Sequence, residues 1–326
     1  MQDSFASSAS GDDISQTRSL REARHDRIFH YFLQAIVVFV LAVLLSAILS
    51  MLWGGRSALQ TQGLHFFFSS EWNPVENRYG ALAPIYGTLV TSAIAILIAV
   101  PISFGTAFFL TEIAPRRIRK FISSAIELLA GIPSIIYGMW GLYILVPTMS
   151  EKVIPVLSAT LGKLPFIGLL FQGADFGIGL LTAGIVLSIM IMPFICSVMR
   201  EVFETVPLQL KESAYALGST KWEVSWNIVL PYTRSAVIGG IFLGLGRALG
   251  ETMAVAYVVG NTVHASISLL DPGTTIAALI ANDFSEATET YRSALLLSGF
   301  VLFVVTFVVL SLARLMLMHL VQKEGR

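Results

Sequence analysis

The stretch whose reading decides the fold runs from Lys211 to Pro231, KESAYALGSTKWEVSWNIVLP. It is a patterned polar interruption in a very apolar chain. It carries Lys211, Glu212, Lys221 and Glu223, the tryptophans Trp222 and Trp226, and a Gly-Ser-Thr break from Gly218 to Thr220. Glu212 to Leu217 is expected to be a short helix, stopped by Gly218, because glycine adopts the left-handed conformation that helix ends use. A second short helix is expected from Thr220 to Pro231, whose ring removes a backbone donor. Two short helices with a sharp bend, set between long hydrophobic segments, read as a docking element.

The surroundings read as membrane. Of 326 residues, 55% are hydrophobic and 13% charged, with mean hydropathy +0.75. Soluble domains carry about 25% charged residues, and one soluble core cannot bury such an apolar excess. The net charge of zero argues against nucleic acid as the main partner. The single cysteine, Cys196, excludes a disulfide framework or a cysteine-based metal site within the chain.

Working outward, Met1 to Gln16 is Ser-, Asp- and Gly-rich and reads as a disordered tail. Arginines at 18, 21, 24 and 27 precede an apolar run from Ile28 to Trp53. That order is like a signal peptide, but the run is too long and lacks a small-residue cleavage site. It reads as the first span, since about 20 apolar residues suffice. Gly54 to Leu82 is an aromatic-containing loop, read as an interfacial amphipathic piece. Further spans are expected at Pro84–Thr111, Phe121–Val146, Phe176–Val198, Ser235–Val259 and Ser293–Leu317. Val153 to Phe171 is nearly long enough to span but is interrupted by Pro155, Gly162, Lys163 and Pro165, and is read as interfacial or re-entrant.

Lysine and arginine counts set the orientation. With six spans, the Arg-rich N-terminal segment, Arg116 to Lys120, the stretch around Arg200, Lys211 and Lys221, and the C-terminal tail all fall on one side. Both termini and the opening stretch are therefore expected to be cytoplasmic. The division is a cytoplasmic tail over 1–27, a first transmembrane helix over 28–53, a periplasmic loop over 54–82, a five-helix core over 83–321 with its cytoplasmic loop at 200–231, and a tail over 322–326.

Glu212-Ser213-Ala214, three residues, Gly218, nine residues, then Ile228, Leu230 and Pro231 resembles the EAA motif of ABC-importer permeases, with Ser213 where alanine is usual. In that family the loop is a coupling helix seated in a groove of a separate ATPase subunit. The small side chains of Ser213, Ala214 and Ala216 permit close approach, and the two tryptophans can anchor the base at the interface.

Arg247 and Glu251 lie four apart in the expected fifth span, on one helix face. Each costs roughly 2.5–3.5 kcal/mol at mid-bilayer on insertion scales. Two readings stand: Arg247 as an anion-contacting residue on a translocation path oriented by Glu251, or a structural ion pair. Glu127, with Gly131, Pro133 and Ser134 in ELLAGIPSIIYG, marks a helix break whose freed backbone could line a path; a kink used only for packing is the other reading. The five histidines lack ligand spacing, so no metal site is expected. No G-x-x-x-x-G-K-[ST] run occurs, and the chain is not expected to hydrolyse nucleotide itself.

The runs WNPVENRYGALAPIYGTL (Trp72–Leu89), ELLAGIPSIIYGMWGL (Glu127–Leu142) and GRALGETMAV (Gly246–Val255) resemble the PstC family of phosphate ABC-importer permeases. The resemblance implies an all-α, six-helix, type I (MetI-like) permease fold in a bacterial inner membrane. It implies a PstA-like second permease, two PstB-like ATPase subunits that use ATP and Mg²⁺, a PstS-like phosphate-binding protein, and no cofactor in this chain. Alternatives are the permease of a molybdate or sulfate importer and an ion-coupled secondary transporter. The last predicts internal inverted repeats, and none is evident.

Overall fold

A computed structural model describes the backbone of residues 6–165 and 167–324, and side chains from residue 27 onward apart from those of 166, 317 and 319–324. The chain divides into two compact units, 1–53 and 54–326. Among the described residues six helices are long and apolar enough to cross a membrane: Arg27–Gly54, Leu82–Ile113, Ser134–Lys163, Leu180–Glu204, Lys221–Leu249 and Glu289–Met316.

The first helix, α1 (Ala6–Gly54), reaches back through most of the segment read as a disordered tail. Leu20, Arg21, Glu22 and Ala23 are good helix formers, and a formed helix extends at one bond per residue. Of the segments read as tails, residues 1–5 and 325–326 lie outside the described residues.

The second unit opens with α2 (Arg56–Gln62) and α3 (His65–Phe68), then a two-stranded hairpin of β1 (Trp72–Asn73) and β2 (Arg78–Tyr79) with Trp72 opposite Tyr79. Asn73 Oδ1 accepts from the backbone of Val75 and Glu76, and Asn77 takes a positive φ, which closes the turn. Trp72, Tyr79 and Tyr291 form a ring cluster, with the two tyrosines stacked at 5.4 Å. The loop is thus a folded cap on the start of the last span, where an interfacial amphipathic piece was expected. Burial pushes the Tyr79 phenol above its ordinary value.

The second span is α4 (Leu82–Phe108) closed by a π-helical turn at Phe109–Ile113. Then comes α5 (Arg116–Ala130), and the third span differs from expectation. It consists of α6 (Ser134–Trp140), a π turn at Gly141–Leu145, α7 (Val146–Thr148), a second π turn at Met149–Val153, and α8 (Ile154–Thr160), with short 3₁₀ turns beyond. Phe121–Ala130 is therefore not part of it, and Val153–Lys163 is its far end. The reason is periodicity: Ile118, Phe121, Ile122, Ala125, Leu128 and Leu129 share one face of α5, whereas Arg116, Lys120, Ser123 and Glu127 share the other. A helix so divided suits an interface. The count of crossings before the coupling loop is unchanged.

The fourth span is α9 (Leu180–Glu204), followed by α10 (Leu208–Ala216) and α11 (Lys221–Val224). Through a π turn at Ser225–Val229, α11 continues into α12 (Leu230–Leu249). Pro231 therefore does not end a helix. It lies inside the continuous helix, just after the π turn, where the irregular turn accommodates the missing donor. The chain ends with α13 (Met253–Ala256), α14 (Ile276–Asp283) and α15 (Glu289–Glu324).

The pairing of α4 with α9 is the most extensive in the unit. Small residues set the approach. A Cβ on Gly184 would meet Ile94 at 2.6 Å, and one on Gly244 would meet Ile195 at 2.7 Å. Several polar groups in the spans are paired within the protein, as a bilayer favours, although the buried Ser92 and Ser225 hydroxyls have no partner among the described residues. Ser103 of α4 donates to the Met192 carbonyl, and Thr88 accepts from the Ile276 backbone at the start of α14.

Candidate functional site

The coupling loop is built as a rigid bracket. The Ser219 N–H donates to the Ala214 carbonyl at 3.1 Å and the Gly218 N–H to the Tyr215 carbonyl at 3.0 Å, with Gly218 at φ +89°. These are the two reciprocal bonds of a Schellman ending. Directly after it, Thr220 caps α11. Its side chain accepts from the Glu223 N–H, and the Glu223 carboxylate accepts from the Thr220 N–H at 2.7 Å, a complete capping box.

The faces of α10 divide its residues. Glu212 and Ser213 are exposed, and the Ser213 hydroxyl donates back to Gln209. Ala214 is buried in the main core, so it contributes to seating the helix rather than to its outer surface, which corrects the expectation that it faces outward. The same inner face carries Lys211, whose Nζ lies 2.6 Å from Glu112 Oε1, with the two side chains only 12% and 7% exposed. Burial and then the neighbouring Glu112 carboxylate push the Tyr215 phenol above its ordinary value. Ile228 and Leu230 are half-buried and Pro231 exposed. Trp222 and Trp226 stack on each other at 5.8 Å and meet Phe108 and Phe104 edge-on at 5.4 and 6.3 Å. The two tryptophans are thus seated on α4.

Glu112 escaped the sequence reading. Its only signal was an acid in an otherwise basic segment next to an apolar run, TEIAPRRIRK.

The residues read as a substrate path do not form one cluster. The α12 helix ends at Leu249, and Gly250 and Glu251 lie beyond it, so Arg247 and Glu251 do not share a helical face. Among the described residues they make no ion pair. The Glu251 carboxylate instead accepts from the Ala254 N–H at 3.3 Å, at the start of α13. The helix ends at Gly250, whose backbone (φ −96°, ψ 2°) has left the helical conformation. Arg247 is exposed, its guanidinium 5.9 Å from the Phe194 ring centroid on α9. Glu127 pairs with Arg200 of α9 at 3.1 Å, so α5 is tied to the fourth span. Ser134 is half-buried at the first turn of α6. The Gly131–Pro133 break frees α5 carbonyls, and the Tyr137 hydroxyl donates to one of them, on Leu129, at 2.8 Å. Beside this break a cavity is lined by Ile132, Ile136, Tyr137, Trp140 and Ile189. Its apolar walls offer an anion no charge.

Six helices long and apolar enough to cross a membrane, with a stiff, half-exposed polar bracket between the fourth and fifth, define a class. Residues 99–324 match the family described as binding-protein-dependent transport system inner membrane component, and the chain belongs to that family. Two solved bacterial alginate ABC transporters contain chains of similar fold. One, in complex with an alginate pentasaccharide-bound periplasmic protein, aligns at TM-score 0.58 and 19% identity over 87% of this chain and 92% of that one; the other aligns at 0.52 and 17% over 93% and 99%. Within the family the similarity is more particular. The chain is 72% identical over 308 residues to the phosphate transport system permease protein PstC of Xylella fastidiosa (strain 9a5c), covering 94% of this chain and 95% of that one. It is 52% identical to the PstC protein of Pasteurella multocida, over 95% and 99%. It is also 38% identical to a probable PstC of Methanocaldococcus jannaschii, over 84% and 87%.

Proposed function

We propose that this chain is a membrane-spanning permease subunit of an ATP-driven phosphate importer. The observation that carries the reading is the 72% identity to a phosphate transport permease over nearly the full length of both chains. The chain is a multi-pass inner membrane protein of a transport family, so a separate ATPase and a binding protein belong with it. The finer assignment is a PstA-like second permease, two PstB-like ATPase subunits and a PstS-like phosphate-binding protein. ATP and Mg²⁺ act in the ATPase subunits. The basic α5 and the bracket of α10 and α11 lie on the cytoplasmic side, with Glu212 and Ser213 facing the ATPase groove.

Closure of the ATPase pair pushes α10, the spans reorient, and phosphate enters a path between the two permeases. Arg247 is the residue we assign to that path. It is exposed on this chain, and its planar fork suits an oxyanion. Its hold on phosphate must be weak enough for release. Glu251 serves by holding the break after α12 in shape.

Radiolabelled phosphate uptake in proteoliposomes holding the chain with its two partner subunits and binding protein tests the reading. ATP-dependent phosphate accumulation, undiminished by excess molybdate or sulfate, is expected. Accumulation that those anions abolish would assign another cargo.

A further inference from the structure

We propose that Glu112, through its buried pair with Lys211, is the positioning residue that passes movement of α10 to the second span. The proposal rests on reading α10 as the ATPase-docking helix. Three features of the structure carry it.

The first is a stripe. Phe104, Phe108 and Glu112 follow one another at four-residue steps along the second span. They meet Trp226, Trp222 and Lys211 in turn. One edge of a single span therefore holds the whole bracket, from its seat to its tip.

The second is the character of the contact at the tip. The nine residues of α10 are too few to hold a helix in water, so its placement follows from what it touches. Ala214 is an apolar seat without directional preference. The Lys211–Glu112 contact is directional and largely withdrawn from solvent, so displacing one partner alone would leave a buried unpaired charge. The two groups are therefore constrained to move together.

The third is where Glu112 stands. It lies in the last turn of its helix, where the macrodipole disfavours an acid. Folding of the second span does not call for a carboxylate there, whereas tying down Lys211 does. The span continues from that turn to Gly87 and Thr88, which abut the Thr274–Ile276 segment near its other end. A shift at Glu112 thus reaches the opposite end of the bundle along one helix.

The test uses the full complex in proteoliposomes, with E112Q, K211M and the apolar pair E112L/K211M. Phosphate imported per ATP hydrolysed is the first readout. A nitroxide at Leu97, exposed on α4, is the second, its accessibility compared with and without ATP–vanadate trapping. The ATPase is expected to co-purify with every variant and hydrolyse within two-fold of wild type. Phosphate per ATP is expected to fall at least ten-fold, and the trapping-dependent change at Leu97 at least five-fold. The apolar pair fills the volume without stranding a charge, so it reports if a single variant fails to fold. Wild-type coupling in the apolar pair, or an unchanged Leu97 response in it, overturns the proposal. So does loss of the ATPase from all three variants, because the pair then serves assembly alone. If the wild-type complex imports no phosphate, the cargo reading fails while the nitroxide readout still decides the tie.

Discussion

Gly218 offers a quantitative test of the bracket. Its φ of +89° lies in the region that L side chains avoid, and a Cβ built there meets nothing within 4 Å. Any penalty for substitution is therefore conformational and not steric. A left-handed residue other than glycine costs roughly 1–2 kcal/mol, with asparagine at the low end because its side chain bonds locally. If the substituted backbone escapes the strain by relaxing, the loop loses the bonds to Ala214 and Tyr215. Each of those is worth about 1 kcal/mol net. Gly218→Ala should thus lower the population of the bent loop by roughly 5–30-fold, Gly218→Asn by less, and Gly218→Val by the most. Co-purification of the ATPase subunit and ATP-driven uptake, measured across the series, should rank Gly, Asn, Ala, Val. Wild-type uptake in Gly218→Val, or an asparagine variant as poor as valine, would refute the argument that backbone conformation is what the position selects.

Glu223→Ala removes the carboxylate arm of the capping box and leaves the Thr220 hydroxyl accepting from the backbone N–H of residue 223; it should cost about 0.5–1 kcal/mol, seen as faster amide exchange over residues 220–224. Gly87→Val places a Cβ about where the Thr274 carbonyl stands, 2.0 Å away; backbone must move, so a loss of roughly 1–3 kcal/mol should lower the thermal midpoint in detergent. Gly239→Ala, with nothing within 4 Å of its Cβ, should not lower that midpoint, and should raise it where alanine's better helix propensity is felt. Arg247→Gln should reduce phosphate uptake while the protein remains in the membrane at wild-type level; intact transport would make the residue incidental to the path.

What the sequence disclosed depended on how each element hides its apolar surface. The first, second, fourth and sixth spans are nearly unbroken apolar runs and could be placed by length. The third could not. Glu151, Lys152, Pro147 and Pro155 dilute Ser134–Lys163, while the apolar face of α5 adds six hydrophobic residues just upstream and draws the window toward it. The fifth begins earlier than its apolar run, because Lys221 and Glu223 lie on the first turn of the same continuous helix. The bracket was legible because its devices are local: a glycine, a capping pair and fixed spacing. The Arg247–Glu251 pairing failed for a local reason too, since four-residue spacing means one face only while the helix continues, and Gly250 ends it. Glu112 was illegible because its meaning lies 99 residues away in Lys211, and no local pattern encodes that.

The π turn at Ser225–Val229 has a consequence for how the loop tolerates change. Val224 and Val229, five residues apart, are both buried, and from there the stripe resumes at Thr233 and Val237 in steps of four. An α-helix advances about 100° per residue, so the wide turn acts as a phase correction between the bracket and the span above it. Deleting a single residue within 225–228 would turn the wide turn into an ordinary α turn and keep α11 in phase, whereas inserting one would leave every side chain of α11 intact yet swing it by about 100°, carrying Trp222 off Phe108. The junction therefore tolerates a lost residue better than an added one.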